Sequence, residues 1–340
     1  MTLKVGMLAP ISWRTPPRGY GPWEFATSLL TEALVAKGVD VTLFATGDSQ
    51  TAGRLRSVCP RGYSEDRSLD PKVWEILHVA HAFEHAEEFD IFHNQADFIP
   101  LGFTRLVSTP IVTTIHGFSS PQILPAYRAY NDRVSYVSIS DSDRDPSLSY
   151  AATIHHGIPL EDFPFNAEGG EDLLFYGRIH PDKGAREAID VALASGRRLV
   201  MAGIVQDERY FAEEIDPMID GERVRYVGVV GGTDRARLLG GAKALLHLIN
   251  FDEPFGLSVV ESLARGTPVI AVGRGSMPEL IDDGRTGFLV RGVDAAVAAV
   301  GRVDKIDRRA CRAAAERRFS VERMAEDYLR LYRSLLAERR

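Results

Sequence analysis

The feature that most constrains the fold is an alternation of short apolar strands and amphipathic helices, which occurs twice along the chain. The first series opens with the apolar stretch 3–9, continues with a helical stretch over 23–37 that Gly38 ends, and returns to an apolar stretch at 39–45. A strand, a helix and a strand in this order form a βαβ unit, whose two strands pair in parallel. The alternation therefore predicts an α/β fold with helices on both faces of parallel sheets.

A stretch rich in turn-forming residues, 157–170, separates this series from a second one that begins near Leu173. With 340 residues the chain is longer than one hydrophobic core usually serves, and its apolar content of 45% can fill two. We predict a Rossmann-like domain over 1–156, a linker over 157–170, a second Rossmann-like domain over 171–319 and a C-terminal helix over 320–340. The other predicted strands are 90–94, 110–115, 134–138, 173–176, 199–202, 224–227, 244–248 and 267–271.

Cysteine content, charge and missing phosphate loops exclude several classes of function. Cys59 and Cys311 are the only cysteines, so we expect neither a disulfide scaffold nor a zinc site, and a reducing cytoplasm fits. The net charge of -7 argues against a nucleic-acid partner, because binding to the phosphate backbone needs clustered positive charge. Neither series has a GxGxxG directly after its first strand, and GxxxxGK[ST] and GxSxG are absent, which disfavours dinucleotide oxidoreductases, ATPases and α/β-hydrolases.

Two pairs of charged residues in the second series are the strongest candidates for chemistry. Arg178 and Lys183 follow the predicted strand 173–176 and precede a helix, where backbone N–H groups and cations together favour phosphate. Glu253 precedes a second predicted helix, 256–265, and Glu261 lies more than one turn inside that helix. Spacing alone leaves open that the cations are solvated turn residues and that the glutamates are helix-end and surface charges.

The segment between the two glutamates offers backbone donors. Phe255, Gly256 and Leu257 open the predicted helix 256–265, and the first N–H groups of a helix have no intrahelical acceptor. One carboxylate can accept from sugar hydroxyls and the other from ribose hydroxyls, with a phosphate held between them. The pattern therefore suits a nucleotide bound through its diphosphate.

These motifs resemble those of the family 4 (GT4) retaining glycosyltransferases. The Glu-x7-Glu motif of that family matches Glu253 and Glu261, and its Gly-Arg and Lys-Gly motif matches the following residues: Gly177, Arg178, Lys183 and Gly184. Further stretches resemble the family's later blocks and its N-terminal glycine loop: 267–271, 278–281, 283–290 and 18–24. The resemblance covers nearly the whole chain and implies a GT-B fold, in which two doubly wound Rossmann-like domains face a central cleft and a C-terminal helix crosses back to the first domain.

The resemblance also implies how a donor is held by the second domain. Arg178 and Lys183 neutralise the donor diphosphate as a leaving group, so that no metal and no cofactor are required. Glu253 holds the sugar and Glu261 the ribose, while residues 255–257 contribute backbone amides. The donor is a UDP- or GDP-sugar, with UDP favoured, and a hexosyl group passes to an unidentified acceptor hydroxyl with its anomeric configuration retained.

In the first domain the resemblance points to a histidine and a glycine loop. His116 matches the family's site histidine, which contacts the donor sugar near its reacting carbon. Gly19 and Gly21 match the glycine loop that approaches the donor phosphate, but Pro22 stands where the family has a second glycine, and proline has no N–H to offer. Because His116 and the phosphate anchors belong to different domains, we expect the domains to close around the donor.

These motifs do not identify the acceptor, for which three classes remain: a small molecule, a glycan or a lipid-linked molecule. The acceptor-side candidates are His93 and Asn94, which end one predicted strand, and Asp97, which follows them. We interpret His155 and His156 as structural.

Several alternatives remain open at this point. A nucleotide-sugar epimerase, a phosphorylase and a non-catalytic nucleotide- or glycan-binding protein would share the two-domain plan. Asp141, Asp143 and Asp145 are interpreted as N-cap and turn residues, not as a metal site. The arginines of the segment 308–318 would suit a membrane surface, but intervening acidic residues favour a solvated helix face.

Overall fold

The computed structural model describes residues 2–118 and 120–338. The chain forms two compact units, with boundaries between Gly157 and Ile158 and between Ser320 and Val321. Of the predicted linker 157–170, the residues from Ile158 onward belong to the second unit, where Ile158 and Phe163 are buried.

The first unit is built on a parallel sheet of seven strands. Its strands are β1 Lys4–Leu8, β2 Asp40–Phe44, β3 Arg54–Arg56, β4 Ile91–Asn94, β5 Ile111–Ile115, β6 Val134–Ser138 and β7 Tyr150–Thr153. Their order in the sheet is β3-β2-β1-β4-β5-β6-β7. Both faces are buried: Val5 and Met7 of β1 belong to one hydrophobic cluster and Leu8 to another, because successive side chains of a strand point to opposite faces.

The second unit is built on a parallel sheet of six strands. Its strands are β8 Leu173–Tyr176, β9 Leu199–Ala202, β10 Val224–Tyr226, β11 Ala244–His247, β12 Val269–Val272 and β13 Gly287–Val290. Their order is β10-β9-β8-β11-β12-β13. Each unit is therefore a doubly wound α/β sheet, as the alternation predicts.

The helices connect and cover these strands. The α-helices are α1 Pro22–Ala36, α2 Pro71–Glu84, α3 Leu124–Ala129, α4 Ala185–Ala194, α5 Glu208–Tyr210, α6 Gly232–Gly240, α7 Leu257–Ala264, α8 Met277–Leu280, α9 Val293–Val300, α10 Arg308–Arg318 and α11 Val321–Ala337. Short 3-10 helices span Ala86–Glu88, Ile99–Leu106, Pro121–Ile123, Leu160–Asp162, Pro181–Lys183, Asp216–Met218 and Val303–Lys305, and one π-helical turn spans Phe211–Ile215. None of the helices in the described part of the chain is long and apolar enough to cross a membrane.

The C-terminal helix α11 packs in the first unit, against α1. Met324, Tyr328 and Tyr332 of α11 are buried in the same cluster as residues of β1 and α1. The Tyr332 hydroxyl lies 2.6 Å from Nδ1 of His93. The last helix therefore completes the core of the first unit, although the whole second unit separates it from that unit in sequence.

The arginines of α10 form the predicted solvated face only in part: Arg309 and Arg317 are exposed, whereas Arg308 and Arg312 bind backbone oxygens. Arg308 donates to the carbonyl oxygens of Asn166, Ala242 and Gly240. Arg312 donates to the carbonyl oxygens of Phe163 and of Ala264, the last residue of α7. These guanidinium groups satisfy backbone acceptors at strand and helix ends, so the interpretation as solvated charges was wrong for them.

Candidate active site

The strand order of each sheet reverses beside its first strand. In the first unit the chain moves from β1 outward to β3 and resumes at β4, on the other side of β1. In the second unit it moves from β8 to β10 and resumes at β11, on the other side of β8. Ligands of doubly wound sheets bind beyond the carboxyl ends of the strands at such a reversal, because the two loops diverge there and leave a crevice.

In the second unit the loops that follow β8 and β11 are fastened to each other. The backbone N–H of Asn250 donates to the Asp182 carbonyl oxygen over 2.7 Å, and its side-chain amide donates to the Pro181 carbonyl oxygen over 3.1 Å. Gly184 adopts a positive φ of 71°, and a Cβ there would lie 1.9 Å from the Leu248 carbonyl oxygen. Glycine is therefore required both by the backbone conformation and by the close approach of the second loop.

This arrangement brings Lys183 and Glu253 together. The Lys183 ammonium forms an ion pair with Glu253 Oε2, and the two side chains are 13% and 14% exposed. The same ammonium lies 4.6 Å from the ring centroid of Phe251, and Nε2 of His247 lies 3.6 Å from Glu253 Oε2. Two residues that the sequence analysis selected for one ligand are thus in direct contact.

The charges in this pair shift both pKa values. Burial raises the pKa of Glu253, but the adjacent His247 and Lys183 outweigh it and hold the pKa at about 2. Burial lowers the pKa of Lys183 against the opposing effect of Glu253, and the positive Arg178 lowers it further. Glu253 is therefore ionised throughout the neutral range and accepts hydrogen bonds only.

A third loop, after β12, holds the Glu253 segment in place. The backbone N–H of Ser276 donates to the Glu253 carbonyl oxygen over 3.0 Å, and its hydroxyl donates to the Phe255 carbonyl oxygen. Gly275 has a φ of 55°, and a Cβ there would lie 2.5 Å from the Glu253 nitrogen. This loop, His247 and Phe251 match no motif, so the amino-acid sequence alone does not identify them as part of the site.

Arg178 and Lys183 reach different partners. The Arg178 guanidinium donates to Oε1 of Gln206, in the loop that follows β9, whereas Lys183 reaches the loop that follows β11. A β-bridge between Ile179 and Val205 holds the first of these contacts. The two predicted phosphate anchors therefore belong to one loop and lie close enough for Arg178 to affect the pKa of Lys183.

Glu261 lies inside α7 and is 2% exposed. Its Oε1 is 3.2 Å from the Arg235 guanidinium of α6. Burial raises the pKa of Glu261 to about 7, although Arg235 opposes the shift. Gly256, with a φ of 101°, forms the N-cap of α7, and Phe255 before it is buried. Glu253 and Glu261 thus contact different cations. Arg235 belongs to no motif, so the amino-acid sequence alone does not identify it.

In the first unit, His116 is a neutral histidine whose two ring nitrogens are both hydrogen-bonded. Its Nε2 lies 2.6 Å from Gln95 Oε1, and its Nδ1 lies 3.3 Å from Nε2 of His156. Since an amide oxygen only accepts, Nε2 of His116 carries the hydrogen and Nδ1 accepts from His156. Burial lowers its pKa well below the usual value, and His156 and His93 add to that effect. The ring also stacks on Trp23, with centroids 5.6 Å apart.

The acceptor-side candidates have distinct positions. His93 is fully buried, with Nδ1 bonded to the Tyr332 hydroxyl and Nε2 2.8 Å from Thr114 Oγ1. Asn94 donates to the Asp97 carbonyl oxygen over 2.9 Å. Asp97 has a φ of 61°, which aspartate tolerates better than most residues, and its carboxylate accepts from the Tyr127 hydroxyl. His93 thus joins β4 to α11, and Asn94 shapes the turn that carries Asp97.

The glycine loop lies at a cavity of the first unit with a volume of about 580 Å³. Gly21 has a φ of 149° and caps α1, whose first residue is Pro22, a favourable position for proline. A Cβ on Gly19 would meet nothing within 4 Å. The side chains that matter most for the chemistry of this cavity are Trp13, Tyr20, Trp23, Glu24, Glu75 and Asp97. Neither His93 nor Asn94 lines it.

Within residues 2–118 and 120–338, no three or more His, Cys, Asp and Glu side chains are grouped so as to hold a metal ion. Asp141, Asp143 and Asp145 lie in turns between β6 and β7, where Asp145 Oδ1 accepts from the Ser147 N–H over 2.8 Å. The interpretation of these residues as turn formers is confirmed. Their interpretation as N-caps was wrong, because that stretch contains no helix.

Two family descriptions match the chain. Residues 26–144 match "Glycosyltransferase Family 4", and residues 160–317 match "Glycosyl transferases group 1". The first match covers most of the first unit, and the second match contains both motif pairs of the second unit.

Individual proteins agree with these matches. The chain is 32% identical to a glycogen synthase of Mycobacterium tuberculosis over 51% of its own length and 45% of that protein, so it spans less than half of this relative. It is 23% identical to the phosphatidyl-myo-inositol mannosyltransferase of Mycobacterium leprae over 98% and 97% of the two chains. In fold it is similar to Anabaena HepE, solved in complex with UDP, with a TM-score of 0.75, 18% identity and coverage of 98% and 100%. The chain has the GT-B fold and belongs to the family 4 glycosyltransferases.

Proposed function

We propose that the chain transfers a hexosyl group from a nucleotide sugar to an acceptor hydroxyl, with retention of the anomeric configuration and without a metal ion. The observation that carries the proposal is the largely buried ion pair of Lys183 and Glu253 at the reversal between β8 and β11. The Lys183 cation and the Glu253 carboxylate, which accepts hydrogen bonds, lie there in contact, and Glu253 precedes the N-terminus of α7. A sugar diphosphate has the complementary groups, anionic oxygens and hydroxyl donors.

The diphosphate would be held by positive charge of the second unit. Lys183, Arg178 and the first N–H groups of α7 favour the anionic oxygens, and they favour them more as the glycosidic bond breaks and charge grows on the leaving nucleotide. The bond between the sugar carbon and the phosphate oxygen breaks, and a bond from that carbon to the acceptor oxygen forms on the same face. The acceptor proton passes to the departing phosphate, so the reaction needs no carboxylate nucleophile.

The two glutamates would hold different parts of the donor. Glu253, whose pKa is about 2, stays ionised and accepts from sugar hydroxyls. Glu261 accepts from the ribose hydroxyls, and Arg235 favours the ionised form that makes this contact strong. Gly256 and Leu257 contribute backbone amides between these two groups.

His116 would act by position. A histidine whose pKa lies well below the usual value is neutral at physiological pH and is a poor proton carrier. Both ring nitrogens are already hydrogen-bonded, one to Gln95 and the other to His156. A donor sugar would therefore contact the C–H edge of the ring, or a sugar hydroxyl would replace one of these two partners. Gly19 and Gly21 would let the backbone of the first unit approach the donor phosphate.

A UDP-sugar is the proposed donor, in preference to a GDP-sugar, because the structural neighbour HepE was solved with UDP. The base contacts would come from the loops around Gly203 and Val227. We also propose a cytoplasmic location, since Cys59 and Cys311 are buried free thiols, which suit a reducing compartment.

The test is a transfer reaction followed by NMR. The purified chain is incubated with UDP-glucose or GDP-mannose and a panel of hydroxyl acceptors, and the anomeric proton of the product is recorded. We expect a product with the anomeric configuration of the donor, and Lys183→Met, which removes the cation at the leaving diphosphate, should lower turnover by about 100-fold or more.

Other outcomes would identify other functions. A product of inverted configuration would contradict the retaining mechanism. Conversion of the nucleotide sugar to its epimer without an acceptor would indicate an epimerase. Tight binding of UDP without turnover on any acceptor would indicate a nucleotide-binding protein that has kept the fold.

A further inference from the structure

The cavity of the first unit has a position and a size typical of a small-molecule site. It is lined by residues that follow β1, such as Trp13, and by residues that follow β4, such as Asp97. Those two strands flank the reversal of the first sheet, which is where doubly wound sheets bind ligands. Its volume of about 580 Å³ lies in the range of about 300–1,000 Å³ of ligand pockets.

One part of the lining is aromatic. Trp13, Tyr20 and Trp23 all contribute to the wall, and the rings of Trp13 and Tyr20 meet edge to face with centroids 6.4 Å apart. Tyr20 is 49% exposed, so it has apolar ring surface that is not yet covered. Aromatic rings offer a flat apolar face beside a polar group, which suits a molecule that has both apolar C–H surface and hydroxyls.

The polar part of the lining is acidic. Glu24, Glu75 and Asp97 contribute carboxyl groups, and the described residues that line the cavity include no lysine and no arginine. Each carboxylate is held by a donor of the protein: Trp13 N–H to Glu24 Oε1 over 3.1 Å, Tyr63 hydroxyl to Glu75 Oε1 over 2.8 Å, and the Tyr127 hydroxyl to Asp97. A carboxylate fixed in this way calls for hydrogen-bond donors on the ligand and repels anions. Burial raises the pKa of Glu24 to about 7, so at neutral pH Glu24 is present in both its ionised and its protonated form and adds less to this repulsion.

His78 also lines the cavity, and one of its ring nitrogens has no hydrogen-bond partner in the described part of the chain. It is 1% exposed, and its Nε2 lies 3.0 Å from the Ala9 carbonyl oxygen, so Nε2 carries the hydrogen and donates. Its Nδ1 is buried, and no hydrogen-bond partner is present for it in the described part of the chain. Burial lowers the pKa of His78 to about 4, so Nδ1 is an acceptor at neutral pH. A buried acceptor without a partner is uncommon in native proteins, and a ligand hydroxyl would satisfy it.

We propose that this cavity binds the acceptor and selects a sugar or similar polyol ring that carries no phosphate and no carboxylate. The inference rests on the proposed function, since it assigns the second substrate of that reaction. Hydroxyl or ammonium donors of the ring meet Glu24, Glu75, Asp97 and His78, while its C–H face packs on the aromatic rings. A phosphorylated acceptor would bring an anion to a wall with three carboxyl groups.

The experiment compares matched ligands with the full chain in the presence of saturating UDP. Methyl glucoside, glucosamine, glucose 6-phosphate and glucuronate are titrated by calorimetry or ligand-observed NMR. We expect methyl glucoside and glucosamine to bind at least about tenfold more tightly than the two anionic ligands. Glu75→Gln, which removes one charge and keeps the shape, should reduce this preference severalfold.

A matched control and a second variant protect the test from misfolding. Glu84→Gln changes an exposed carboxylate of the same helix, α2, and should leave the preference unchanged. Tyr20→Ala alters a residue that is half exposed, so the fold should tolerate it while binding of neutral sugars weakens. Circular dichroism and thermal unfolding of each variant check the fold of the first unit, in which all three changes lie.

The possible failures are distinguishable. Equal binding of glucose 6-phosphate and methyl glucoside, or a preference that neither Glu75→Gln nor Tyr20→Ala changes, would overturn this inference while UDP binding and transfer stand. Absence of UDP binding and of transfer to every acceptor would overturn the proposed function, and the assignment of the acceptor with it.

Discussion

At the scale of the residue, similar groups acquire different properties from their neighbours. Glu253 and Glu261 belong to one motif, and the first is largely buried while the second is fully buried. Glu253 lies between Lys183 and His247, which hold its pKa at about 2. At Glu261 the effect of burial outweighs that of Arg235, and the pKa rises to about 7. The balance between desolvation and nearby positive charge therefore decides which carboxylate is firmly ionised.

Replacement of the two glutamates should affect different steps: one change should weaken nucleotide binding and the other should lower kcat. Glu261→Gln should weaken binding of both the nucleotide sugar and bare UDP, because a charge-assisted contact to ribose contributes about 1.5–3 kcal/mol wherever ribose is present. Glu253→Gln should leave the affinity for UDP nearly unchanged and lower kcat, since its partner is the sugar to be transferred. Calorimetry with UDP and steady-state kinetics measure the two effects.

The control for this pair is Glu222→Gln, an exposed glutamate of the same unit, which should alter neither quantity. Equal impairment of UDP binding by Glu253→Gln and Glu261→Gln would contradict the division of roles. Unchanged UDP binding in both variants would contradict it as well.

At the scale of the element, α11 is held to the first unit by buried polar contacts as well as by apolar packing. The Tyr332 hydroxyl is hydrogen-bonded to Nδ1 of His93 in β4, and the Tyr328 hydroxyl lies 2.7 Å from Oγ1 of Thr114 in β5. Both tyrosines are buried in the cluster that includes α1. Hydroxyl groups buried in this way need their partners, because an unpaired polar group inside a core is costly.

Replacing Tyr332 by a smaller side chain should therefore lower the free energy of unfolding, and alanine should lower it more than phenylalanine does. Tyr332→Phe removes one hydrogen bond and should lower the free energy of unfolding by about 1 kcal/mol, whereas Tyr332→Ala also leaves a cavity and should lower it by about 3–5 kcal/mol. Urea denaturation measures both changes. Arg333→Ala, an exposed neighbour, should remain within about 0.5 kcal/mol of the parent chain. A Tyr332→Ala variant as stable as the parent would show that α11 adds little to this core.

At the scale of the whole molecule, the proposed reaction depends on charge that the protein itself supplies. Activity should persist in excess EDTA, because Arg178, Lys183 and the N-terminus of α7 provide the positive charge at the diphosphate. The measurement is transfer rate with and without chelator. A loss of turnover that Mg²⁺ or Mn²⁺ restores would contradict metal independence.

The first unit should also lose stability in mild acid. Burial lowers the pKa of His78 and His156 to about 4 and that of His93 to about 3, and it lowers the pKa of His116 well below the usual value. Below about pH 6.5 the unfolded chain binds protons that these folded residues do not, so the free energy of unfolding falls by up to about 1.4 kcal/mol per pH unit for each histidine. Burial raises the pKa of Glu24 to about 7, and this one group acts in the opposite direction.

Hydrogen exchange of peptides from β4 and β5 between pH 8 and pH 5 tests this expectation for the first unit alone. Protection free energies should decrease towards pH 5, and His93→Gln should make the decrease shallower. His180→Gln, in the second unit, should leave the slope of the first unit unchanged. Protection in the first unit that is constant over this range would contradict the assignment of buried neutral histidines.

The sequence by itself determined the secondary structure of the central strands and the family motifs. The predicted strands 134–138, 173–176 and 199–202 coincide with β6, β8 and β9, because a central parallel strand is buried on both faces and reads as a continuous apolar run. The strands β3, β7 and β13 were not predicted, and all three lie at the edges of their sheets. The residues of β3 and β7 are exposed or half-buried, so these strands lack the continuous buried run of a central strand. Motif spacing likewise identified Lys183 and Glu253, although not their contact.

Only the tertiary structure decided which of these residues meet. Lys183 and Glu253 are far apart in sequence and touch because β8 and β11 are neighbours in the sheet. His247, Arg235 and the Gly275 loop belong to no motif, and they reach the two glutamates through strands and helices that pack side by side. Periodicity and capping report interactions within a few residues of the chain, whereas burial, ion pairing and the pKa values of Glu253 and Glu261 depend on neighbours that only packing brings together.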